Sequence, residues 1–299
     1  MPNRVADALG LSPIKALTDK EFAAFQRLIH TEVGIFLSDV KRPLLVGRLT
    51  KRLRELGLGS FSAYFAVVKD DAAERQRMID AISTNETHFF REPKHFDFLT
   101  GTVFPALAAR RTGKGERRIR IWSAACSTGE EPYTLAMVLL EHFAPADGWE
   151  IEVLASDIST RVLARARDGL WPLAKSGEIP QAYLKRFMLK GVGDYEGKMK
   201  AGPEIRRVVS FFPNNLLAET YAVKGTFDAI FCRNVLIYFD TPTKLKVIEK
   251  LLAHLDPEGY LFLGHAESLV SLGGGLTREL HSVAPAIYKL GPAPSRRHR

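Results

Sequence analysis

Ser123-Ala-Ala-Cys-Ser-Thr-Gly-Glu-Glu-Pro-Tyr-Thr134 joins an apolar strand to a helix through a loop of small side chains. Ahead of it, Ile119 and Ile121 alternate with arginines in Arg118-Ile-Arg-Ile-Trp122, the two-residue period of a strand. Behind it, Pro132 suits a first helical turn, and Leu135, Ala136, Val138 and Leu139 continue the helix. Small residues at Ala124, Ala125, Ser127 and Gly129 let a ligand approach the main chain closely, near a helix N-terminus. The loop holds one glycine and so is not the dinucleotide fingerprint G-x-G-x-x-G. By itself it is either a cofactor loop or an ordinary strand-to-helix turn.

Spacing favours the cofactor. Ile151-Glu-Val-Leu-Ala-Ser-Asp157 reads as a second buried strand ending in an acid, as the ribose-binding acid ends the second strand of doubly wound folds. Asp157 can accept hydrogen bonds from ribose hydroxyls, or it can cap the helical run Val162 to Arg167. Ser159 can serve as that cap instead and leave Asp157 to the ligand.

From about residue 115 onward, short apolar strands alternate with helices. Arg207 to Phe212, Phe227 to Cys232, Tyr260 to Gly264 and Ala286 to Leu290 read as further strands. Leu245, Ile248, Leu251, Leu252 and Leu255 place a helix at Lys244 to Leu255, stopping at the turn Asp256-Pro-Glu-Gly259. Such alternation predicts an α/β fold with a mostly parallel sheet covered on both faces. Between Phe187 and Arg207, Gly191, Gly193, Gly197 and Gly202-Pro203 break any helix and suit small antiparallel hairpins inserted into that sheet domain.

Residues before about 90 read as helices. Thr18-Asp-Lys-Glu21 has capping-box spacing ahead of Phe22, Phe25, Leu28 and Ile29. Lys41 to Leu56 places Leu45, Leu49, Leu53 and Leu56 on one face, with Lys41, Arg48, Lys51 and Arg52 in an adjacent basic arc. That arc is either a solvated face or a docking stripe for an acidic partner.

With 299 residues and 46% hydrophobic content, the chain can bury one large core or two modest ones. No apolar run approaches the roughly 20 residues that cross a bilayer, and Met1-Pro-Asn-Arg-Val lacks the order of a signal peptide. Cys126 and Cys232 form neither a metal spacing nor a disulfide framework, so no metal is expected and the cytoplasm is the expected compartment. A formal charge of +8 points to an acidic partner without choosing among nucleic acid, membrane and protein. The basic tail at 291–299 is expected to be disordered.

In an open parallel sheet, ligands bind outside the carboxyl ends of the strands. Asn214-Asn215-Leu216 and Arg233-Asn234 follow two of the predicted strands, where Asn side chains can read a cofactor or simply form turns. Ser83-Thr-Asn-Glu-Thr-His-Phe-Phe-Arg-Glu92 lies between the helical part and the sheet and is richer in polar and aromatic residues than a plain linker. Arg91 within it can supply a fixed positive charge to a carboxylate, or it is a surface ion-pair partner.

Five ordered stretches together, Thr84 to Arg91, Trp122 to Tyr133, Ala155 to Ser159, Phe231 to Asp240 and Leu261 to Ser268, resemble the CheR-type chemotaxis receptor glutamate methyltransferases. The resemblance runs from the helical part almost to residue 290. It implies an S-adenosyl-L-methionine-dependent protein-glutamate O-methyltransferase that leaves S-adenosyl-L-homocysteine and makes γ-methyl esters on cytoplasmic helices of methyl-accepting chemoreceptors. The implied architecture is a helical N-terminal receptor-docking domain over 1–80 and a linker over 81–114 that forms part of the cofactor site. A Rossmann-like methyltransferase domain follows over 115–290, with an antiparallel β-subdomain at about 187–207.

By motif position, Asn85, Thr87, Arg91, Glu131, Asp157, Asn215, Leu216, Arg233 and Asn234 resemble the family's cofactor contacts. Arg91 and Tyr238 resemble the groups nearest the reacting methyl, and the stripe Lys41, Arg48, Lys51 and Arg52 becomes a candidate receptor surface. Gly191-Val-Gly193 resembles the loop of members that also dock a receptor's C-terminal peptide. Ala266 departs from the family's usual Ser at that position. A glutamate side chain with a pKa of about 4.3 is already ionised at neutral pH. The expected chemistry therefore needs no general base, consistent with motifs that hold no paired acid and base. An RNA methyltransferase is the enzymatic rival. Against it, the sequence after the fourth strand is not Asn-Pro-Pro-Tyr and no RNA-binding signature occurs, so no nucleic-acid partner is expected. A signalling scaffold is the non-enzymatic rival.

Overall fold

The computed structural model describes residues 14–113, 115–269 and 280–291. The N-terminal stretch read for a signal peptide and the basic tail beyond Gly291 lie outside the described residues. The chain divides into two compact units, Met1–Thr84 with Tyr238–Asp240, and Asn85–Ile237 with Thr241–Arg299. Among the described residues no helix is long and apolar enough to cross a membrane.

In the first unit, α1 (Asp19–Val33) opens on the expected capping box. The Thr18 hydroxyl accepts from the Glu21 N–H, while the Thr18 N–H donates to the Glu21 carboxylate at 2.8 Å. Gly34 ends the helix in the left-handed region, where a side chain would add strain. Helices α2 (Arg42–Glu55), α3 (Phe61–Asp70) and α4 (Ala72–Ile82) follow, the last two capped by Ser60 and Asp71. Phe22, Phe25, Ile29, Leu45, Leu49, Leu53, Phe61 and Tyr64 are buried between them, each stabilising the unit by roughly 1.5–3 kcal/mol. Leu56, expected on the same face as Leu45, Leu49 and Leu53, is instead 40% exposed because α2 ends one residue earlier.

A charge is buried in this core. Glu74, with its side chain 1% exposed, accepts from Arg52 Nε at 2.9 Å, Arg52 Nη2 at 2.6 Å, Tyr64 Oη at 3.0 Å and Arg77 Nη1 at 3.2 Å. Burial alone would raise its pKa, but the Arg52, Tyr64 and Arg77 hydrogen bonds outweigh that and hold the carboxyl below its ordinary range. Residues Tyr238–Asp240 return from far along the chain to this unit. The Phe36 N–H donates to the Tyr238 carbonyl at 2.8 Å, and His30 Nε2 lies 2.9 Å from Asp240 Oδ2.

The second unit begins with α5 (Pro93–Phe98), a π turn at Leu99–Val103 and α6 (Phe104–Gly113). Its sheet is then laid down as β1 (Arg118–Ala124), α7 (Glu130–His142), β2 (Glu150–Asp157) and α8 (Thr160–Asp168). A side excursion comes next: β3 (Leu170–Pro172), α9 (Gln181–Phe187), β4 (Met188–Lys190) and β5 (Lys198–Ala201). After α10 (Pro203–Val208) the chain rejoins the sheet with β6 (Val209–Pro213) and β7 (Phe227–Cys232), then α11 (Thr241–Leu252), β8 (Leu255–Leu263), β9 (Leu280–Ala284) and β10 (Ile287–Leu290).

The strand order is β6-β2-β1-β7-β8-β10-β9, parallel from β6 through β8, with β10 antiparallel to β8 and to β9. The order reverses direction between β1 and β7, which is where the carboxyl ends of the strands open a crevice. All six residues of β7 are buried, as a central parallel strand covered on both faces requires. Phe231 stacks on Phe262 of β8 with ring centroids 4.2 Å apart. At the other end of the strands, Asp228 is 1% exposed and accepts from Arg110 Nη2, Arg111 Nη2 and the Arg120 N–H, tying α6 to the sheet.

Three expectations shift. Arg207 and Val208, read as the start of a strand, close α10, and β6 starts at Val209. Leu255, read as the end of a helix, begins β8. There Asp256-Pro-Glu-Gly259 is an excursion inside the strand, because Leu255 pairs with Phe227 while Tyr260 already pairs with Ala229. The small antiparallel sheet, of order β3-β5-β4, takes in Leu170–Pro172 as well as the glycine-rich stretch, so it starts earlier than the expected 187. Gly191 has a local cause in this sheet: a Cβ there would stand 2.0 Å from the Tyr195 carbonyl oxygen.

Because the folded pKa of Glu74 is lowered, its contribution is present above the ordinary value near 4.5 and is lost as pH falls through the folded value. Glu74→Gln is expected to flatten that acid-side loss and to cost roughly 3 kcal/mol at neutral pH, since Arg52 loses its charged partner. Urea unfolding of both proteins across acid to neutral pH measures this.

Candidate cofactor site at the strand ends

The β1–α7 loop is shaped by three residues at positive φ within five: Ala125 at 93°, Ser127 at 50° and Gly129 at 96°. Four of its main-chain donors are already used. The N–H groups of Ala125 and Cys126 both donate to the Ser156 carbonyl at 2.8 Å, that of Ser127 to Asp157 Oδ2 at 2.8 Å, and that of Gly129 to the Cys126 carbonyl at 3.1 Å. With these four amides committed to the protein, the loop's shape is held by its own hydrogen bonds. Asp157 also accepts from the Ser159 N–H at 2.9 Å, and Ser159 caps α8 as expected. Asp157 is therefore a loop organiser as well as a candidate ribose acceptor.

The linker lies over this loop. The Ser127 hydroxyl donates to the Asn85 carbonyl at 2.8 Å, and the Phe90 N–H donates to Thr134 Oγ1 at 3.2 Å. From the segment after β3, Lys175 Nζ donates to the Thr87 carbonyl at 2.9 Å and pairs with Glu130 Oε1 at 2.7 Å. Glu178 accepts from the Phe89 N–H at 2.9 Å. The adjacent acids thus divide: Glu130, 1% exposed, fastens the linker through Lys175, and Glu131 faces the strand ends.

At the end of β7, Arg233 has a side chain only 2% exposed. Its Nη1 donates to Glu131 Oε2 at 3.0 Å and its Nη2 to Glu92 Oε2 at 3.0 Å and to the Arg91 carbonyl. Glu131 also accepts from the Ser123 hydroxyl at 2.7 Å. Burial pushes the Glu131 carboxyl above its ordinary range despite Arg233. Burial also opposes ionisation of Glu92, but the Arg233 charge and hydrogen bonds from Arg233, His265 and Asn234 outweigh it and hold this carboxyl below its ordinary range. Phe90 and Glu92 both sit in the left-handed region, at φ 52° and 58°. For residues other than glycine this strain costs of order 1–3 kcal/mol each and persists only where neighbours enforce it.

The expected site residues therefore fall into separate groups. Arg91, Glu131, Arg233 and Asn234 are joined, directly or through Glu92, by the hydrogen bonds just described; Asn85 and Asp157 are joined through Ser127, and Thr87 is held by Lys175. Arg91 itself donates from Nη1 to the Glu86 carbonyl at 3.0 Å. Asn215 and Leu216 follow β6; Asn215 Oδ1 accepts from the Leu217 N–H at 2.9 Å as a turn former, and Leu216 is buried. Tyr238 belongs to the first unit, with Lys41 Nζ 5.5 Å from its ring centre.

The basic arc of the first unit is largely committed to its own fold. Arg52 binds the buried Glu74, Arg48 donates to the Ile82 carbonyl and to Thr84 Oγ1, and Lys51 stands 3.9 Å from Glu55. Among the four, Lys51 retains an 80% exposed side chain. Sequence reasoning did not select Glu92, Glu130, Lys175 or Glu267. Glu267 accepts from the N–H groups of Asn234, Gly264 and Ile237. Glu92 was visible beside Arg91, but its partner Arg233 is 141 residues away. Nothing around Lys175 marked it.

The residues present fit S-adenosylmethionine. Asn85 Oδ1 and Asn214 Nδ2 are buried polar atoms without a hydrogen-bond partner, at the linker and at the end of β6, where a polar ligand would satisfy them. Asn85, Asp157 and Asn214 would hold it, beside the small-residue loop.

Comparison with known proteins gives two family matches: the CheR methyltransferase SAM-binding domain over residues 85–278 and the CheR methyltransferase all-alpha domain over residues 20–83. Chemotaxis protein methyltransferase 2 of Pseudomonas aeruginosa is 43% identical over 271 residues, covering 91% of this chain and 93% of that protein. The chemotaxis protein methyltransferase of Escherichia coli is 42% identical over 260 residues, covering 86% and 87%. That of Salmonella typhimurium is 40% identical over 278 residues, covering 92% and 91%.

Lys175→Met leaves Glu130 buried without its charge partner and is expected to cost roughly 3–5 kcal/mol of stability. Adding Glu130→Gln should restore most of that loss while leaving the Thr87 carbonyl unpinned. Chemical denaturation of the single and double variants distinguishes the two effects.

Proposed function

The chain belongs to the CheR methyltransferase family, and from that premise we propose that it methylates glutamate side chains on the cytoplasmic helices of chemoreceptors, giving γ-methyl esters. It is an S-adenosylmethionine-dependent chemotaxis protein methyltransferase. What carries the finer reading is the strand-end constellation: Arg91, Glu131, Arg233 and Asn234 come from three sequence stretches and meet in one network with no paired general acid and base, and Asp157 ends the neighbouring strand β2.

When bound, S-adenosylmethionine supplies a methyl group already activated on a sulfonium. A glutamate carboxylate is ionised at neutral pH and needs no base to act as the nucleophile. The protein's share is then orientation and the exclusion of water, which can supply several kcal/mol. In this reading Asp157 accepts hydrogen bonds from ribose hydroxyls, Glu131 and Arg233 orient the amino-acid end, and Asn215 and Leu216 border the base. The Arg91 guanidinium orients the incoming carboxylate. The resemblance assigns Tyr238 to the same step. On the first unit, Lys41 and Lys51 are the part of the basic arc that we assign to steering an acidic helical substrate; Arg48 and Arg52 serve the fold first.

The deciding experiment transfers labelled methyl from S-adenosylmethionine to a chemoreceptor cytoplasmic fragment and then applies mild base. Label released as methanol identifies esters, whereas label that survives base identifies nitrogen or carbon methylation and rejects the reading. In the same assay Arg91→Ala should lower turnover or cofactor affinity at least about tenfold, the scale of one charge-assisted hydrogen bond. Normal values of both remove Arg91 from the site. Lys41→Glu combined with Lys51→Glu should slow receptor methylation, more at low salt than at high, with cofactor binding retained. An unchanged rate makes the arc a solvated face.

A further inference from the structure

Glu92 is the residue on which the linker and the strand ends converge. Its Oε2 accepts from Arg233 Nη2 at 3.0 Å and lies 3.4 Å from His95 Nδ1. Its Oε1 accepts from Asn234 Nδ2 at 3.3 Å and from the His265 N–H at 3.2 Å. Glu92, His95 and His265 place donor atoms within 4.8 Å of one another, the spacing of a metal site. The Arg233 cation beside the carboxylate opposes a metal ion there. An ionised carboxylate offers about four lone-pair sites, and here three hydrogen-bond donors, one of them a guanidinium, converge on it, while His95 Nδ1 makes no hydrogen bond. The arrangement is a hydrogen-bond hub.

The hub joins three pieces of chain. Glu92 ends the linker stretch that carries Arg91, Arg233 and Asn234 follow β7, and His265 follows β8. Arg233 closes the circuit by donating to the Arg91 carbonyl. Phe90 and Glu92, the residues on either side of Arg91, are the two held at positive φ in this turn. Such a turn keeps its shape only while its contacts are intact. Losing the carboxylate would free Arg233 to swing toward Glu131 alone, and would release the turn that presents Arg91.

We propose that Glu92 is a positioning residue for the cofactor site, acting through Arg233: it holds the guanidinium between two carboxylates and thereby holds the turn that carries Arg91. This rests on the assignment of Arg233 to the cofactor site made above. Glu92 itself touches neither cofactor nor substrate. Its effect passes through Arg233.

The test is calorimetric titration of S-adenosylhomocysteine into the full chain, comparing wild type, Glu92→Gln, Arg233→Met and the double variant. Each single substitution should weaken binding about tenfold, the scale of one charge-assisted hydrogen bond. The double variant should bind no more weakly than Arg233→Met alone, since a residue that acts through another has nothing left to lose. A merely structural role would lower the binding stoichiometry, which counts folded chains, and leave the affinity of the folded fraction unchanged. Wild-type affinity in Glu92→Gln with weakened Arg233→Met overturns the proposal alone. Multiplying effects in the double variant overturn it too, because Glu92 would then act independently. Wild-type affinity in Arg233→Met overturns the assignment of Arg233 along with it. Should Glu92→Gln fail to fold, Glu92→Asp keeps the charge and shortens the reach; its loss of affinity should likewise vanish in the Arg233→Met background, and a loss that persists there overturns the proposal.

Discussion

Burying a guanidinium costs several kcal/mol unless its charge and its N–H groups are met, and Arg233, with 2% of its side chain exposed, is placed where that demand organises the second unit's site. The charge is met through a planar fork that reaches two carboxylates at once, Glu131 on α7 and Glu92 on the linker, which a lysine's single ammonium does not reproduce, although the Arg233 Nε–H finds no hydrogen-bond partner. The consequence is that the linker is bound to the sheet by charge as well as by packing. The strain at Phe90 and Glu92 is sustained by that bond set.

The same constraint recurs with other outcomes. At the opposite ends of the strands, Asp228 is buried among Arg110, Arg111 and the Arg120 amide, where it fastens α6. In the helical unit Glu74 does the equivalent for α2, α3 and α4 through Arg52 and Tyr64. Glu267 is the exception: it is buried and bound only by main-chain N–H groups, without an arginine, and burial pushes its carboxyl up. Buried carboxylates therefore mark positions where separate elements are fastened. Near the strand-end ones, Asn85 Oδ1 and Asn214 Nδ2 are also buried without a hydrogen-bond partner, which leaves room for a polar ligand.

Much of the fold was legible because periodicity reports burial. The alternation around Ile119 and Ile121, the run Phe227 to Cys232 and the Thr18 capping box each predict an element that is present. Short elements were harder. Leu170–Pro172 is three residues long and pairs with a strand that begins 26 positions later, so no local pattern announces it. Arg207 and Val208 carry strand-like residues but complete a helical turn begun at Pro203. The basic arc shows the limit of a helical wheel: Lys41, Arg48, Lys51 and Arg52 share a side of the sequence pattern, yet Arg52 turns inward because Glu74 is there to receive it.

By itself the sequence determined the fold class, the small-residue loop, the acid ending the second strand and the family, because these rest on local spacing and on which residue types sit side by side. Only the tertiary structure decided what each polar group does. Glu130 and Glu131 are neighbours in sequence and part company in space, one to Lys175 and the other to Arg233. Asp157 organises the loop by accepting from the Ser127 and Ser159 N–H groups. Glu92, one place beyond the arginine that the motif singles out, becomes the hub of the linker. The physical reason is that an ion pair or hydrogen bond is set by a partner's position in space, and for Arg233 and Glu92 that partner lies 141 residues away along the chain.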